Sequence, residues 1–175
     1  MWGAAAAMPP DGGRSQRDPA PERAAKRRFV DRLDFVVDVA LGPTIRGRFD
    51  RVAGWYEDGA RMELTVDVTS VETGNVIWDG LLRSAGGRRL TEQPQVRFTS
   101  TRIRELEDGT LRVEGRLDAA GTVEPVAFDA VVKDVDHGLQ LATSAVVDRQ
   151  QLGKSAHRLA AFLPATVHVT MHLSR

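Results

Sequence analysis

Residues 73–103 read TGNVIWDGLLRSAGGRRLTEQPQVRFTSTRI, and this stretch decides the fold. A T-G-N turn is followed by a mixed apolar and charged segment over residues 76–84, which predicts one or two turns of helix. A second segment begins at Pro94 and alternates polar and apolar side chains as far as Ile103. A period of two is typical of a strand with one buried face. The stretch therefore predicts a short helical insert that leads into a β-strand.

The same period of two extends in both directions from this stretch and predicts seven further strands. One face of each strand is apolar and the opposite face is mostly polar. The side chains predicted to face inward are Phe29, Leu33, Phe35, Val37, Val39, Leu41, Ile45, Phe49, Ala53, Trp55, Met62, Leu64, Val66, Val68, Leu111, Val113, Leu117, Val126, Phe128, Ala130, Val132, Leu139, Leu141, Ala145, Val147, Val167, Val169, Met171 and Leu173.

Tight turns are predicted between most of these runs, because each junction holds residues that tolerate a positive φ angle, such as Gly59, Gly109, Gly121 and Gly138. About eight antiparallel strands joined in this way favour a closed barrel, which either fills with side chains or holds one small ligand. The expected fold is all-β, an eight-stranded antiparallel lipocalin-like barrel with one or two short helical inserts. The second insert is predicted at residues 155–162.

Composition narrows the possible functions. The chain has 175 residues, enough for one domain, and 24 basic residues balance 24 acidic ones. This balance gives no electrostatic argument for binding nucleic acid. No apolar run approaches the roughly 20 residues of a membrane-spanning helix, so membrane insertion is not expected. The absence of cysteine excludes disulfides, thiol nucleophiles and cysteine metal sites, and is mildly typical of a reducing cytoplasm.

The first 26 residues are rich in Ala, Pro, Gly and Arg without any hydrophobic period, which predicts a disordered arm ahead of a barrel domain over residues 27–175. The start has no basic region before its short apolar patch, so it does not match a secretory signal. The sequence around Arg27 and Arg28 suits a twin-arginine signal poorly, because three aspartates interrupt the apolar stretch that follows. We expect a cytoplasmic protein.

No motif for catalysis, cofactor binding or metal binding is found in the sequence, and no cofactor is expected. His168 and His172 have the spacing of a helical metal pair, but four residues of strand span about 13 Å, which is too far for one ion. A polar outer face explains them better. The carboxylate pairs lie beside predicted turns, and the Gly86-Gly87 segment is interpreted as a loop. We therefore predict that the protein is not an enzyme.

Taken together, these segments resemble the signature of the YceI-like family. The T-G-N turn at Thr73, the segment from Trp78 to Ser84 and the Pro-led strand through Phe98 are similar in order to the T-x-N, R-D-x-H-L-R-S and P-x-(I/V)-x-F-x-S motifs of that family. The sequences RGRFD at 46–50, EGRL at 114–117, GTVEPV at 121–126 and VDRQQLG at 147–153 are similar to further family segments.

The resemblance implies an extended eight-stranded barrel that binds a long isoprenoid or similar amphiphile in its pore, and often a homodimer. Two positions depart from the family pattern: Trp78 stands where the motif has Arg, and Leu81 stands where it has His. Both changes replace a polar group by an apolar one, so they weaken the case for recognition of a polar headgroup.

The expected function is non-catalytic binding, transport or sequestration of a long apolar or amphiphilic ligand, such as a polyisoprenoid, an isoprenoid quinone or a fatty-acid-like molecule. The alternatives are a small cavity enzyme, such as a cyclase or isomerase, and a filled barrel that serves as an interaction module. Asp79, Arg83 and Arg149 are candidates for a polar contact at the mouth, or for structural pairs. The predicted ligand-binding residues are Phe35, Val37, Phe49, Trp55, Leu64, Val66, Trp78, Asp79, Leu82, Arg83, Phe98, Val113, Phe128, Leu141, Phe162 and Met171.

Overall fold

A computed structural model describes residues 26–85, 87–147 and 164–174, which form an antiparallel β-barrel. The predicted insert at 155–162, with Phe162, and the arm over residues 1–25 lie outside the described residues, as does Arg149. The strands are β1 (Arg27–Val39), β2 (Thr44–Phe49), β3 (Val52–Glu57), β4 (Arg61–Asp67), β5 (Val71–Glu72), β6 (Gln95–Glu105), β7 (Leu111–Ala119), β8 (Thr122–Val135), β9 (Gly138–Val147) and β10 (Ala165–Ser174).

The barrel closes because β1 pairs with β10, which joins the first strand of the sheet to the last. The two segments β2 and β3 both pair with β1 and act as one interrupted strand. In the same way β5 continues β4 after the short 3-10 helix Val68–Ser70. The wall therefore has eight strands, and the predicted all-β barrel is confirmed.

The interruption at Asp50 and Arg51 reverses which side chains face inward along β3. Tyr56 is 4% exposed and belongs to the core, whereas Trp55 lies on the outer face with the Arg27 guanidinium 4.3 Å from its ring centroid. The predicted inward positions of Ala53 and Trp55 are therefore wrong. An uninterrupted alternation would have carried the face of Phe49 on to Trp55, but beyond the interruption the inward face resumes at Tyr56, an odd number of residues after Phe49.

An irregular register between Val30 and Arg32 has the same effect at the start of β1. Val30 is buried at 9% exposure, and Phe29, which was predicted to face inward, is 57% exposed. Leu41 lies beyond the end of β1 and is fully exposed, so its predicted inward position is also wrong. The remaining part of β1 follows the prediction, with Leu33 and Phe35 buried.

One end of the barrel is filled by side chains. This turn end carries the turns at residues 58–60, 106–110 and 136–137. The side chains that fill it are all at most 9% exposed and share one apolar cluster: Val30, Tyr56, Leu111, Leu139 and Leu173. The opposite end, the helix end, carries the β1–β2 turn, the β7–β8 turn and the connection between β5 and β6.

The connection at the helix end contains α1 (Val76–Ala85) and α2 (Gly87–Glu92). α1 is the predicted helical insert. α2 was not predicted, because the two glycines at its start favour a loop. Among the helices of the described part of the chain, none is long and apolar enough to cross a bilayer.

Candidate functional site

The barrel holds an internal cavity of about 300 Å³ between the filled turn end and the helix end. This volume is at the lower limit of the about 300–1,000 Å³ typical of ligand pockets, so it suits one small or slender ligand. The cavity is lined by Leu33, Met62, Leu64, Phe98, Leu117, Val126, Phe128, Ala130, Leu141, Ala142, Thr143, Val169 and Met171.

Two phenylalanine rings form the aromatic part of this lining. Phe98 and Phe128 lie with their ring centroids 5.4 Å apart and tilted by 54°, within the range that favours aromatic pairs. Gly115 makes room for them, because a Cβ at this position would lie 2.5 Å from the Phe98 ring. A glycine in a strand interior often marks such a close approach. The rings therefore reduce the cavity without filling it.

The chemistry of the lining is almost wholly hydrocarbon. Thr143 supplies a hydroxyl, which donates a 2.7 Å hydrogen bond to the backbone carbonyl of Asp129. None of the described lining residues has a titratable side chain. A cavity of this kind can hold an apolar chain, since burial of apolar surface is the available driving force.

Ten of the sixteen predicted ligand-binding residues lie around the barrel interior, in two groups. The lining contains Leu64, Phe98, Phe128, Leu141 and Met171. Val66 and Val113 belong to the same core cluster, and Phe49 packs against it. Phe35 is buried and forms a tilted pair with Phe49 at 5.2 Å, and Val37 is half-buried.

Six lining residues that were left out of the predicted binding set had already been placed inward by their alternation: Leu33, Met62, Leu117, Val126, Ala130 and Val169. Thr143 lies between Leu141 and Ala145 on the same alternating face, although it was not among the apolar residues placed inward. Ala142 had no such signal, since it follows Leu141 directly in the chain. Its contact with the cavity depends on how β8 and β9 separate, which a single-strand pattern does not contain.

Asp79 anchors α1 to the segment that precedes it. Its Oδ1 atom accepts hydrogen bonds from the backbone N–H and the hydroxyl of Thr73, both at 2.7 Å, and the residue is 8% exposed. The hydrogen bond from the Thr73 hydroxyl is the main reason that the pKa of Asp79 is lowered. Asn75 adds a cap, because its side chain accepts from the N–H of Ile77 at 2.9 Å.

Arg83 links α1 to the backbone of the segment before β5 and to β5 itself. Its Nε atom donates to the carbonyl of Thr69 at 3.0 Å, and its Nη2 atom donates to the carbonyl of Val71 at 2.9 Å. These contacts give Asp79 and Arg83 structural roles, and both partners of Arg83 are backbone carbonyls. The other two predicted residues of α1, Trp78 and Leu82, are half-buried.

Two arginines at the barrel wall differ in where their side chains lie. Arg51 lies outside and donates to the Asp67 carboxylate at 2.8 Å and the Thr69 hydroxyl at 3.1 Å. Arg28 is the inward arginine, with a side chain 12% exposed and a 3.1 Å ion pair to Asp58 at the turn end. Neither arginine is among the residues that line the cavity.

The two histidines of β10 lie on the outer face, as predicted. His172 Nε2 is 3.0 Å from Asp34, and His168 Nε2 is 3.3 Å from Asp38, so each crosses the seam between β10 and β1. Within the described residues, no three side chains of the His, Cys, Asp and Glu types come together as a metal site would require. The sequence did not indicate these cross-strand pairs, because they depend on the register between the two ends of the chain.

Comparison with known proteins places this barrel in a family. The family model described as the YceI-like domain matches residues 26–174. The chain belongs to the YceI-like family. Protein YceI of Shigella flexneri is 36% identical over 70 residues, a stretch that covers 40% of this chain and 36% of that protein. A protein of Shewanella baltica strain OS185 is 29% identical over 90 residues, or 48% of this chain and 47% of its own. The aligned stretches thus span less than half of these relatives.

Solved structures show the same fold. BcnA of Burkholderia cenocepacia superimposes with a TM-score of 0.62 at 17% identity, covering 83% of this chain and 99% of that protein. A polyisoprenoid-binding domain from Saccharophagus degradans gives a TM-score of 0.57 at 16% identity, with 85% and 97% covered. At these identities the likeness shows that the YceI-like chain shares their fold.

Proposed function

We propose that this YceI-like protein binds an apolar or amphiphilic small molecule inside its barrel and carries or sequesters it without catalysis. The observation that carries the proposal is the internal cavity, whose described lining is apolar apart from one threonine. That hydroxyl already has a backbone partner at 2.7 Å, so the lining offers apolar surface and little else. The fold-level likeness to a polyisoprenoid-binding domain supports a ligand of the isoprenoid or fatty-acid-like class.

Burial of the ligand supplies the affinity in this proposal. Each Å² of apolar surface removed from water contributes about 25 cal/mol, so a ligand that buries a few hundred Å² gains several kcal/mol before ordering costs. The modest cavity volume favours a slender chain over a bulky ring system. Recognition of a charged headgroup by Asp79 or Arg83 has less support, since both side chains are held by structural hydrogen bonds.

A filled barrel that acts as an interaction module is the second candidate, because two phenylalanine pairs and the closed turn end already occupy much of the interior. The enzyme alternative has less support, since the described cavity lining has no titratable group to move a proton. The cytoplasm and a homodimer remain our predicted compartment and assembly.

The test begins with solvent extraction of the purified protein and mass spectrometry of the extract, with native mass spectrometry for stoichiometry. A single stoichiometric isoprenoid or fatty species supports binding. Uptake of a fluorescent dansylated undecanoic acid is then compared between two variants of β8. Val126→Trp places an indole in the cavity, whereas Val123→Trp places the same group on the outer face, where Val123 is 56% exposed.

We expect Val126→Trp to weaken probe binding by about tenfold or more, because the added side chain takes up the ligand's volume. Val123→Trp should bind like the unchanged protein. Circular dichroism of both variants shows whether the barrel is intact. A protein that is empty when purified and takes up no probe would contradict the proposal and favour the filled barrel.

A further inference from the structure

Among the described residues, β8 and β9 lack backbone pairing over part of their length. Their pairing runs from Val135 opposite Gly138 to Ala130 opposite Thr143 and stops there, although both strands continue. On the other side of each strand the ladder goes on: β7 pairs with β8 as far as Thr122, and β10 pairs with β9 as far as Val147. We call the gap between residues 127–129 of β8 and 144–146 of β9 the side opening.

A side-chain hydrogen bond marks the point where the ladder ends. The hydroxyl of Thr143 donates to the carbonyl oxygen of Asp129 at 2.7 Å. A backbone N–H of the partner strand would take this acceptor in a continuous antiparallel ladder. Thr143 therefore satisfies the carbonyl of Asp129, the first β8 residue beyond the paired region, and lets the strands separate without leaving that carbonyl unsatisfied.

The side opening lies between the internal cavity and a groove on the outer surface. A groove of about 740 Å³ lies across it on the outside and is lined by residues of β7, β8, β9 and β10. Four residues line both this groove and the internal cavity: Phe128, Ala142, Thr143 and Val169. Residues that contact both volumes lie at the passage between them.

The outer surface beside the side opening is unusually apolar for an exposed sheet. Val146 on the β9 rim is 62% exposed, and Val131, two residues after the β8 rim, is 48% exposed. A strand face in water normally carries polar side chains. These two apolar side chains provide a surface beside the side opening that an apolar chain can cross at low cost.

We propose that the side opening is the portal through which the apolar chain of the ligand enters the barrel, an inference that rests on the proposed binding function. The ligand class is an amphiphile with a slender apolar chain, which passes between β8 and β9 at Phe128 and leaves its polar end in the outer groove. Arg112, whose Nη1 lies 3.1 Å from the Asp129 carboxylate, lies in this groove as a polar neighbour for that end. Among the described residues, buried side chains fill the turn end, which leaves the side opening as the favoured route.

The test uses the absence of cysteine from the chain, since a single introduced thiol can be labelled selectively. Ser144→Cys places a label on the rim of the side opening. Thr99→Cys is the matched control, because Thr99 is an exposed outer-face residue of β6 that pairs with both Glu63 and Arg116. Each variant is modified with a polyethylene-glycol maleimide, and uptake of dansylated undecanoic acid is followed by stopped-flow fluorescence.

We expect the label at position 144 to slow uptake by about tenfold or more, with the final amount of bound probe unchanged, whereas the label at position 99 leaves the rate unaltered. Equal rates in both labelled proteins, whether slowed or not, would overturn the portal while the final amplitude still reports binding. Unlabelled protein that takes up no probe would overturn the binding proposal together with the portal.

Discussion

Two of the strand pairings in the barrel wall, the β1–β10 seam and the β8–β9 seam, differ although both join strands with apolar inner faces. Along the β1–β10 seam the register continues from Val30 opposite Leu173 to Val39 opposite Ala165. Along the β8–β9 seam it ends halfway, at Ala130 opposite Thr143. The inner faces of both seams contribute to the same cavity. Continuous apolar alternation therefore does not decide by itself whether a seam is closed.

The outer faces show where the difference lies. Two Asp–His pairs cross the β1–β10 seam, at 3.0 Å and 3.3 Å, and an arginine on β1 holds one of these aspartates. Along the open part of the β8–β9 seam, the outer face of β9 carries uncharged side chains, Ser144 and Val146. Cross-strand pairs of opposite charge stabilise a sheet, and an apolar rim exposed to water does not.

The largest expected difference concerns two matched phenylalanines. Phe35 of the closed seam is 6% exposed and pairs with Phe49, while Phe128 at the side opening is half-buried and pairs with Phe98. We expect Phe35→Ala to lower the free energy of unfolding by about 3–5 kcal/mol, as for a buried core aromatic. Phe128→Ala should cost about 1–3 kcal/mol, because the ring buries less surface. Urea denaturation measures both.

The same two variants separate stability from access. Phe128→Ala widens the passage and should speed uptake of dansylated undecanoic acid, whereas Phe35→Ala should leave the rate of uptake unchanged in the protein that remains folded. Equal losses of stability would show that the two seams are packed alike, against the structural comparison.

A smaller effect is expected where the open seam begins. Thr143→Val keeps the side-chain shape but removes the hydroxyl that satisfies the Asp129 carbonyl. The free energy of unfolding should fall by about 1 kcal/mol, the typical net value of such a hydrogen bond. Hydrogen exchange should also become faster at residues 130 and 131, next to the end of the ladder.

Thr101→Val is the control for this change. Its hydroxyl also donates to a backbone carbonyl, that of Glu114 at 3.2 Å, but between β6 and β7, whose ladder continues on both sides of the irregularity at this point. We expect a smaller loss of stability and no change in probe uptake. If Thr101→Val lowers the free energy of unfolding as much as Thr143→Val and speeds hydrogen exchange near position 101 equally, the side opening is not a special position.

Much of this fold could be predicted from the sequence, because alternation acts within one strand. The eight strands, the inward positions of Leu33, Leu64 and Met171, and the helical insert that became α1 all follow from local period and turn residues. The family resemblance depended on the same local motifs. The register between neighbouring strands, and the point at which two strands separate, were predicted less well.

Trp55 and Thr143 show why. The alternation through Phe49 and Trp55 is regular in the sequence, and only the two residues that interrupt the pairing with β1 show that Trp55 turns outward. Thr143 looks like any small polar strand residue, and its role follows from the carbonyl that it reaches on β8. Register, strand separation and cross-strand pairs depend on contacts distant in sequence, which a single sequence without aligned relatives does not reveal.

The smallest expected effect tests the charged side of the comparison. Asp34 lies on the closed seam, where Arg32 Nε donates to both of its carboxylate oxygens at 2.7 Å and 2.9 Å. His172 on β10 lies within hydrogen-bond distance of Asp34, and Arg48 on β2 is the register partner of Asp34. The hydrogen bond from Arg32 is the first cause of the lowered pKa of Asp34, with His172 contributing.

Because the folded-state pKa is lowered, this aspartate stabilises the fold above its ordinary value of 3.8, and that contribution is lost as the pH falls through the folded value. Asp34→Asn should therefore narrow the difference between the urea midpoints at pH 7 and pH 3. Other acidic groups such as Asp67 and Asp79, whose pKa values are also lowered, keep part of the difference. Arg32→Gln should narrow the difference between the two urea midpoints to a similar extent, because this change removes the main hydrogen-bond donor to Asp34. An unchanged difference in both variants would mean that the closed seam owes its stability to backbone pairing and inner packing alone.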